Sequence, residues 1–316
     1  MKIAVLFPGQ GSQFLGMGKE FIEGDAESGA LMAMAEAACE APLAKLCADG
    51  PMEELTRAAV LQPAITIVNL ICWRHLLKNL GNDLEVSCVA GHSLGEYAAL
   101  CAAQVVSVED TIRLVAERGS LMEREGMKNP GGMRAVLGLD INTLESLLAQ
   151  YRGEGIAVIA NHNTPEQIVL SGTFPGLDGV GQLIEAQGGK VIPLNVSVAN
   201  HSPLVAEAIP DFAAFMADIS FNAPVIPVYC NVSAVSESDP LRIKKLMASQ
   251  IGARVRWCEI IQTMLNQGID TFVEVGPKNI LKGMIRKIAA RDSGVNALQF
   301  DSPASLESCL KQLRHE

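Results

Sequence analysis

Apolar residues along this chain fall into two kinds of run. Short, nearly uninterrupted apolar blocks at 2–7, 86–90, 227–231 and 271–275 read as strands of a parallel sheet, which need not alternate because both faces are covered. Between them the apolar positions recur at helical spacing. Residues 20–58 are alanine-rich and helical, with breaks near Gly24, Pro42 and Gly50-Pro51. A long helix follows, with Pro63 near its first turn, where a missing N–H costs nothing, and Ile65, Val68, Cys72 and Leu76 on one face. A turn at 79–83 leads into the second strand, and Ser107-Val108-Glu109-Asp110 reads as a capping box opening a helix to about 125. Later helices are expected over 239–251, 257–267 and, past Gly276-Pro277, 278–291.

The middle of the chain changes rhythm. Asn129-Pro130-Gly131-Gly132 marks a boundary, followed by a strand at 133–139, a helix at 141–152 and a strand at 155–161. A turn at Asn163-Thr164-Pro165 then gives a strand at 167–171, a helix at 177–186 and a strand at 190–196. That βαββαβ order is the ferredoxin-like unit. The expected fold is therefore α/β: a parallel-sheet domain from 1–128 and 198–316, with a ferredoxin-like subdomain at 129–197 inserted in it. The segment 197–203, SVANHSP, returns the chain to the larger domain.

Composition narrows the function classes. Hydrophobic residues make up 49% and charged residues 19%, which indicates a packed globule and not a disordered chain. A net charge of −10 argues against nucleic acid as a partner, since phosphate binding needs a basic surface. No stretch approaches the roughly 18 consecutive apolar residues of a membrane span, and MKIAVLFPGQ is too short an apolar run for a signal peptide. The eight cysteines form no C-x-x-C pair, as in a reduced cytoplasmic protein. No H-E-x-x-H or clustered Cys/His pattern suggests a metal. A monomer is the default expectation.

The chemistry gathers at 86–100, VSCVAGHSLGEYAAL. A buried strand, a tight turn at Gly91-His92-Ser93-Leu94-Gly95 and an alanine-rich helix from Glu96 fit G-x-S-x-G, the nucleophile elbow. Gly91 and Gly95 suit a bend that leaves no room for a Cβ. The helix that starts after Ser93 leaves amide N–H groups unpaired near its Oγ, where an oxyanion would develop. Ser93 is the candidate nucleophile. Of the five histidines, His315 is terminal, His75 lies mid-helix, His92 belongs to the elbow and His162 ends a strand of the inserted unit. His201 sits in the return loop, before a helix with Ser202 as N-cap and Pro203 at its first position, and is the candidate general base. Asp110, Asp140 or Asp178 would keep the order Ser…Asp…His, although none stands in an obvious strand-end loop.

Arg118 lies in the middle of an apolar stripe of Leu114, Val115, Leu121 and Met122. It either meets a protein carboxylate such as Glu125 or holds a substrate carboxylate by two parallel hydrogen bonds. In the loop at 8–13, G-x-G-x-x-G fails at Phe14 and the Walker A lysine is absent. Gly9 and Gly11 mark either an ordinary turn or a backbone that approaches a substrate oxygen. The basic stretch with Lys278, Lys282, Arg286 and Lys287 is either a solvated face or a docking stripe for an acidic partner.

Several separated stretches together resemble the malonyl-CoA:acyl carrier protein transacylases. They are FPGQGSQ at 7–13, GHSLGEYAAL at 91–100, the R-G-x-x-M of 118–122, VSVANHS at 196–202, NAPVIPVYCNV at 222–232 and VEVGP at 273–277. The resemblance runs from residue 1 to about 290 and implies an α/β-hydrolase-like core with a ferredoxin-like insertion. It implies Ser93 as nucleophile, His201 as base and Arg118 as partner of the malonyl carboxylate. It assigns the oxyanion hole to the backbone N–H groups of Gln10 and Leu94. A main-chain carbonyl near Gln250 takes the place of an aspartate in orienting His201. The implied activity moves a malonyl group from malonyl-CoA, through a malonyl-serine, to the phosphopantetheine thiol of acyl carrier protein, for fatty acid or polyketide synthesis. Coenzyme A thioester is then a substrate, with no cofactor required, and Lys282, Arg286 and Lys287 are the docking candidates. The alternatives are a serine hydrolase of acyl thioesters, a trans-acting acyltransferase of a polyketide synthase, and a carrier-protein-binding module with a dead site. Three positions depart from the family pattern: Asn200 where serine is common, Glu123 where glutamine is frequent, and Cys230 where asparagine is frequent. All three are expected near the acyl pocket.

Overall fold

Two sheets organise the protein, whose computed structural model describes residues 1–81, 84–196 and 198–314. The turn expected at 79–83 and the return segment at 197–203 include Asn82, Asp83 and Ser197, which lie outside the described residues, as does His315. The strands in chain order are β1 (Ile3–Phe7), β2 (Val86–Gly91), β3 (Gly132–Leu137), β4 (Ala157–Thr164) and β5 (Gln167–Gly172). They continue with β6 (Lys190–Pro193), β7 (Val228–Tyr229), β8 (Ser236–Glu237), β9 (Thr271–Val275) and β10 (Asn296–Phe300).

The larger sheet has the order β10-β9-β1-β2-β7-β8, parallel except for β8, which pairs antiparallel to β7. Alternation within β1 serves both faces. Ile3, Val5 and Phe7 pack into one core with the Ala58–Leu80 helix, while Ala4 and Leu6 pack with Trp257, Ile260 and Ile261 on the other. By length and composition the Ala58–Leu80 helix passes as a membrane span, but 78% of its apolar window is buried inside the protein: it is the central core helix. Its Pro63 falls in the second turn. Strands β8 and β10 go beyond the sequence expectation; both lie at sheet edges, where part of each strand faces water and the apolar pattern is weak.

The second sheet, β4-β5-β3-β6, is antiparallel throughout and has the ferredoxin-like order. One face carries Val136, Ile168 and Leu170 against the helices Ile141–Gln150 and Phe174–Ala186. The other face presents Met133, Ala160 and Val169. β4 is also tied to the segment before the Trp257–Asn266 helix: His162 N–H donates to the Val255 carbonyl at 2.9 Å, and Val255 N–H to the Ala160 carbonyl at 2.8 Å.

Local signals hold where they rest on side-chain chemistry. Ser107 caps the Val108–Lys128 helix by accepting from Asp110 N–H. The basic helix is shorter than expected, Ile280–Ile288 instead of 278–291, because Glu274 takes the amide N–H groups of Leu281 and Lys282 at 3.0 and 2.8 Å and starts the helix there. Lys278 thus leaves the basic stripe. It adopts φ 63° and reaches the Gly11 carbonyl at 2.9 Å.

Candidate active site

The carboxyl ends of β1 and β2, neighbours in the sheet, deliver the two loops that form the site. The turn after β2 is as tight as the sequence requires. A Cβ on Gly91 would run into the Gly95 backbone, and one on Gly95 into the Phe7 carbonyl. The bend holds Ser93 at φ 50°, a conformation that a non-glycine residue keeps only when its surroundings impose it. Those surroundings are specific. Asn231 Oδ1 accepts the Ser93 N–H at 2.7 Å while its Nδ2 donates to the Gly91 carbonyl at 2.7 Å. Gln250 Nε2 donates to the Ser93 carbonyl at 2.9 Å. Glu96, in the first turn of the helix, accepts from Asn231 N–H at 3.0 Å and Gln250 Nε2 at 2.7 Å. Burial raises the Glu96 carboxyl to about 7.

His201 also stands at positive φ, 56°. Its Nε2 lies 2.7 Å from Ser93 Oγ. Its Nδ1 faces two backbone carbonyls, Gln250 at 3.0 Å and Ala253 at 2.9 Å. Carbonyls only accept, so the proton sits on Nδ1 and Nε2 offers its lone pair to the serine. Burial, with the Arg118 charge beside it, lowers the imidazole to about 3, so it is neutral at physiological pH. The three aspartates considered for its third partner are engaged elsewhere. Asp110 lies by Ser107 and Arg113, Asp140 caps the Ile141–Gln150 helix, and Asp178 pairs with Arg134.

Arg118 is fully buried, and its partner is not Glu125, which pairs with Arg124. Its Nη1 donates to Gln62 Oε1 at 2.8 Å. Its Nη2 donates to Gln250 Oε1 at 3.1 Å and to Ser93 Oγ at 3.2 Å. The guanidinium lies 5.6 Å from the centre of the Tyr97 ring, and Nε has no partner among the described residues. Arg118 thus lies directly behind the serine hydroxyl that borders the cavity.

That cavity, about 180 Å3, is bordered by Gln10, His92, Ser93 and His201 on one side and by Met133, Val169 and Leu194 of the smaller unit on the other. The first loop lies directly on the elbow: a Cβ on Gly9 would strike the His92 carbonyl. Neither the Gln10 nor the Leu94 amide N–H is hydrogen-bonded by a described residue. Leu94 is buried directly after the serine, and Gln10 is exposed at the cavity. The Ile280–Ile288 helix sets Ile280, Leu281 and Met284 on the cavity wall. Its Arg286 and Lys287 are exposed, while Lys282 is half-buried.

Of the three departing positions, only Asn200 borders the cavity. Glu123 instead accepts the Ala59 N–H at 3.1 Å and pairs with Arg57, stabilising the start of the core helix. Cys230 is buried beside Glu96. Sequence reading passed over Gln62, Glu96, Asn231 and Ala253. Glu96 and Asn231 lie inside the quoted motifs and were legible there as buried polar groups in apolar runs; Gln62 and Ala253 carry no such signal.

A strand–turn–helix serine with a neutral imidazole on its hydroxyl defines a class: enzymes that pass acyl groups through a serine. The acyl transferase domain family matches over residues 5–299. The malonyl CoA-acyl carrier protein transacylase of Bacillus subtilis strain 168 is 35% identical over 317 aligned positions, covering 100% of this chain and 98% of the relative. The crystal structure of the malonyl CoA-acyl carrier protein transacylase of Clostridium perfringens superposes with a TM-score of 0.93 at 32% identity, over 100% of this chain and 98% of that one. A malonyl-transacylase solved in complex with its type II polyketide synthase acyl-carrier protein gives 0.92 at 32% identity, over 99% and 100%. The chain belongs to the malonyl CoA-acyl carrier protein transacylases, within the acyl transferase domain family.

Proposed function

We propose that this enzyme moves a malonyl group from coenzyme A to the phosphopantetheine thiol of acyl carrier protein, supplying fatty acid synthesis. The observation that carries the reading is the double engagement of one oxygen: Ser93 Oγ has His201 Nε2 at 2.7 Å and Arg118 Nη2 at 3.2 Å. Arg118 only donates, so the serine proton points at the imidazole. His201 takes that proton as Oγ attacks the thioester carbonyl, and the Gln10 and Leu94 amides receive the oxyanion. The imidazolium then protonates the departing coenzyme A sulfur. In the second half, His201 deprotonates the carrier thiol, which attacks the malonyl ester, and the proton returns to Ser93 Oγ. Gln250 fixes the imidazole through its carbonyl. Arg118 selects the diacid: an acetyl group leaves its buried charge without a counterpart.

The division into a catalytic body, 1–128 with 198–316, and a smaller unit, 129–197, puts the acyl site between the two. Arg286 and Lys287, exposed on the helix that walls the cavity, suit an acidic carrier protein, with the half-buried Lys282 on the same helix. The enzyme acts as a monomer in the cytoplasm and needs no cofactor, coenzyme A entering as part of the substrate. All eight cysteines are free thiols, in keeping with that compartment. A polyketide synthase carrier protein as acceptor is the second reading, favoured by the relative solved with one. Intact-protein mass spectrometry after malonyl-CoA tests the proposal. One malonyl adduct is expected, lost on Ser93→Ala and discharged by holo carrier protein faster than by water. Discharge at the same rate without carrier protein makes the enzyme a hydrolase.

A further inference from the structure

Arg118 is 0% exposed, yet its hydrogen bonds go to Gln62, Gln250 and Ser93 and none goes to a described carboxylate. A guanidinium taken out of water needs a counter-charge. The acid that acts on it is Glu96, 1% exposed in the Gly95–Ala102 helix, and one side chain joins the two. Gln250 Oε1 accepts from Arg118 Nη2 at 3.1 Å, and Gln250 Nε2 donates to Glu96 Oε2 at 2.7 Å. Only this orientation of the amide satisfies both neighbours, since a guanidinium only donates and a carboxylate only accepts. The amide dipole therefore lies along the attraction and transmits it. Tyr97 and Cys230, the other titratable side chains beside Glu96, are pushed up by burial and stay neutral. Glu96 takes no part in the proton transfers at Ser93, and its second oxygen accepts from Asn231 N–H.

A malonyl group alters this balance. Its carboxylate meets Arg118 directly while Glu96 stands one side chain behind, so two anions share one cation. An acetyl group brings no charge and leaves the guanidinium with Glu96 alone. Resting on the transfer reading above, we infer that Glu96, acting through Gln250, sets how strongly Arg118 favours a malonyl over an uncharged acyl group. Its negative charge compensates the guanidinium before substrate arrives and weakens the grip on the substrate carboxylate afterwards. Turnover needs that restraint, because the malonyl group must be given up to the carrier thiol in the second half-reaction.

The test measures kcat/KM for Ser93 acylation by malonyl-CoA and by acetyl-CoA and takes their ratio within each variant, so loss of active protein cancels. Glu96→Gln removes the charge at nearly constant shape. At about pH 8 its malonyl:acetyl ratio is expected to exceed that of wild type about tenfold, the size of one unit charge acting over several ångströms inside a protein. Glu96→Asp keeps the charge on a shorter side chain, and its ratio stays within about twofold of wild type. Wild type supplies a readout that needs no variant. Burial holds the Glu96 carboxyl at about 7, so its charge develops between about pH 6 and 8, where a malonyl carboxylate is already ionised. The wild-type ratio should fall several-fold across that range, and the Glu96→Gln ratio should stay flat. A ratio unmoved or lowered in Glu96→Gln makes Glu96 a brace for the elbow and overturns the inference. So does a wild-type ratio that is flat over that range, or a Glu96→Asp ratio equal to that of Glu96→Gln. Failure of malonyl-CoA to load wild-type Ser93 overturns the transfer reading instead, and the two failures are distinct.

Discussion

Ser93 and Ser28 each lie within hydrogen-bonding distance of an imidazole Nε2: His201 at 2.7 Å and His75 at 2.9 Å. Their third partners differ. Ser28 Oγ donates to the Asp25 carboxylate at 2.7 Å, so its proton rests on the stronger acceptor, and the oxygen is left to accept from His75 Nε2–H. Asp25 is itself held by Arg74 at 2.6 Å and accepts the Ser28 N–H as helix N-cap. Ser28 is wholly buried, and His75 is stacked on Phe21 with ring centres 4.5 Å apart. Around Ser93 the roles are reversed. A guanidinium, which can only donate, occupies the oxygen, and carbonyls on Nδ1 force the imidazole lone pair toward the hydroxyl. The serine also stands at φ 50° on a cavity. Proximity of serine and histidine does not make a nucleophile; the donor or acceptor character of the third group does.

Swapping the serines gives the widest expected separation. Ser93→Ala should cut malonyl transfer by roughly 10^4-fold or more, while Ser28→Ala leaves kcat/KM within about twofold, both read in a coupled carrier-protein assay. Comparable losses from the two would erase the distinction. Removing the guanidinium comes next. Arg118→Ala should lower acylation by malonyl-CoA about 100-fold and acylation by acetyl-CoA much less. Equal losses with both acyl groups would show that Arg118 only positions Ser93.

The pH dependence is a smaller effect with a definite sign. His201 is lowered to about 3 by burial and by the Arg118 charge, so kcat/KM should show no acid limb near 6.5. A bound malonyl carboxylate neutralises Arg118 and makes the imidazole more basic, so the acid limb of kcat should lie at higher pH than that of kcat/KM. The reverse order would exclude this coupling. Stability follows the same group: between pH 6.5 and 3 the unfolded chain takes up a proton that native His201 refuses, so stability falls as pH falls through that window. Asp25 gives the smallest change. Its hydrogen bonds to Ser28 and Arg74 hold the carboxyl below the usual range, a contribution present above about pH 4 and lost in stronger acid. Asp25→Ala should lower Tm by about 2 °C at neutral pH and leave kcat/KM unchanged, since its contacts with Ser28 and Arg74 lie outside the catalytic site.

Much of this protein was legible along the chain because it depends on near neighbours. Gly91 and Gly95 are needed by a bend five residues long, the βαββαβ order follows from period-2 and period-3.6 patterning, and Ser107 and Asp110 cap their own helix. Ser93 and His201 could be named from one motif and from elimination. Arg118 could be recognised as misplaced, but its use came from resemblance to a family. Residue type alone does not say which partner a buried charge finds.

Tertiary structure decided the rest. The carbonyls of Gln250 and Ala253 on His201, the grip of Asn231 and Glu96 on the elbow, and the reach of Gln62 to Arg118 join positions far apart in sequence. Such pairs leave no periodicity for a local reading to detect. The same holds for Lys278, left outside its helix by Glu274 and bonded to Gly11, and for Glu123, which serves a helix start instead of the acyl pocket. A chain can specify its turns and caps one window at a time. Which acceptor a serine faces is settled only when the sheet brings the loops after β1 and β2 together, because hydrogen bonding acts over about 3 Å of space and takes no account of distance along the backbone.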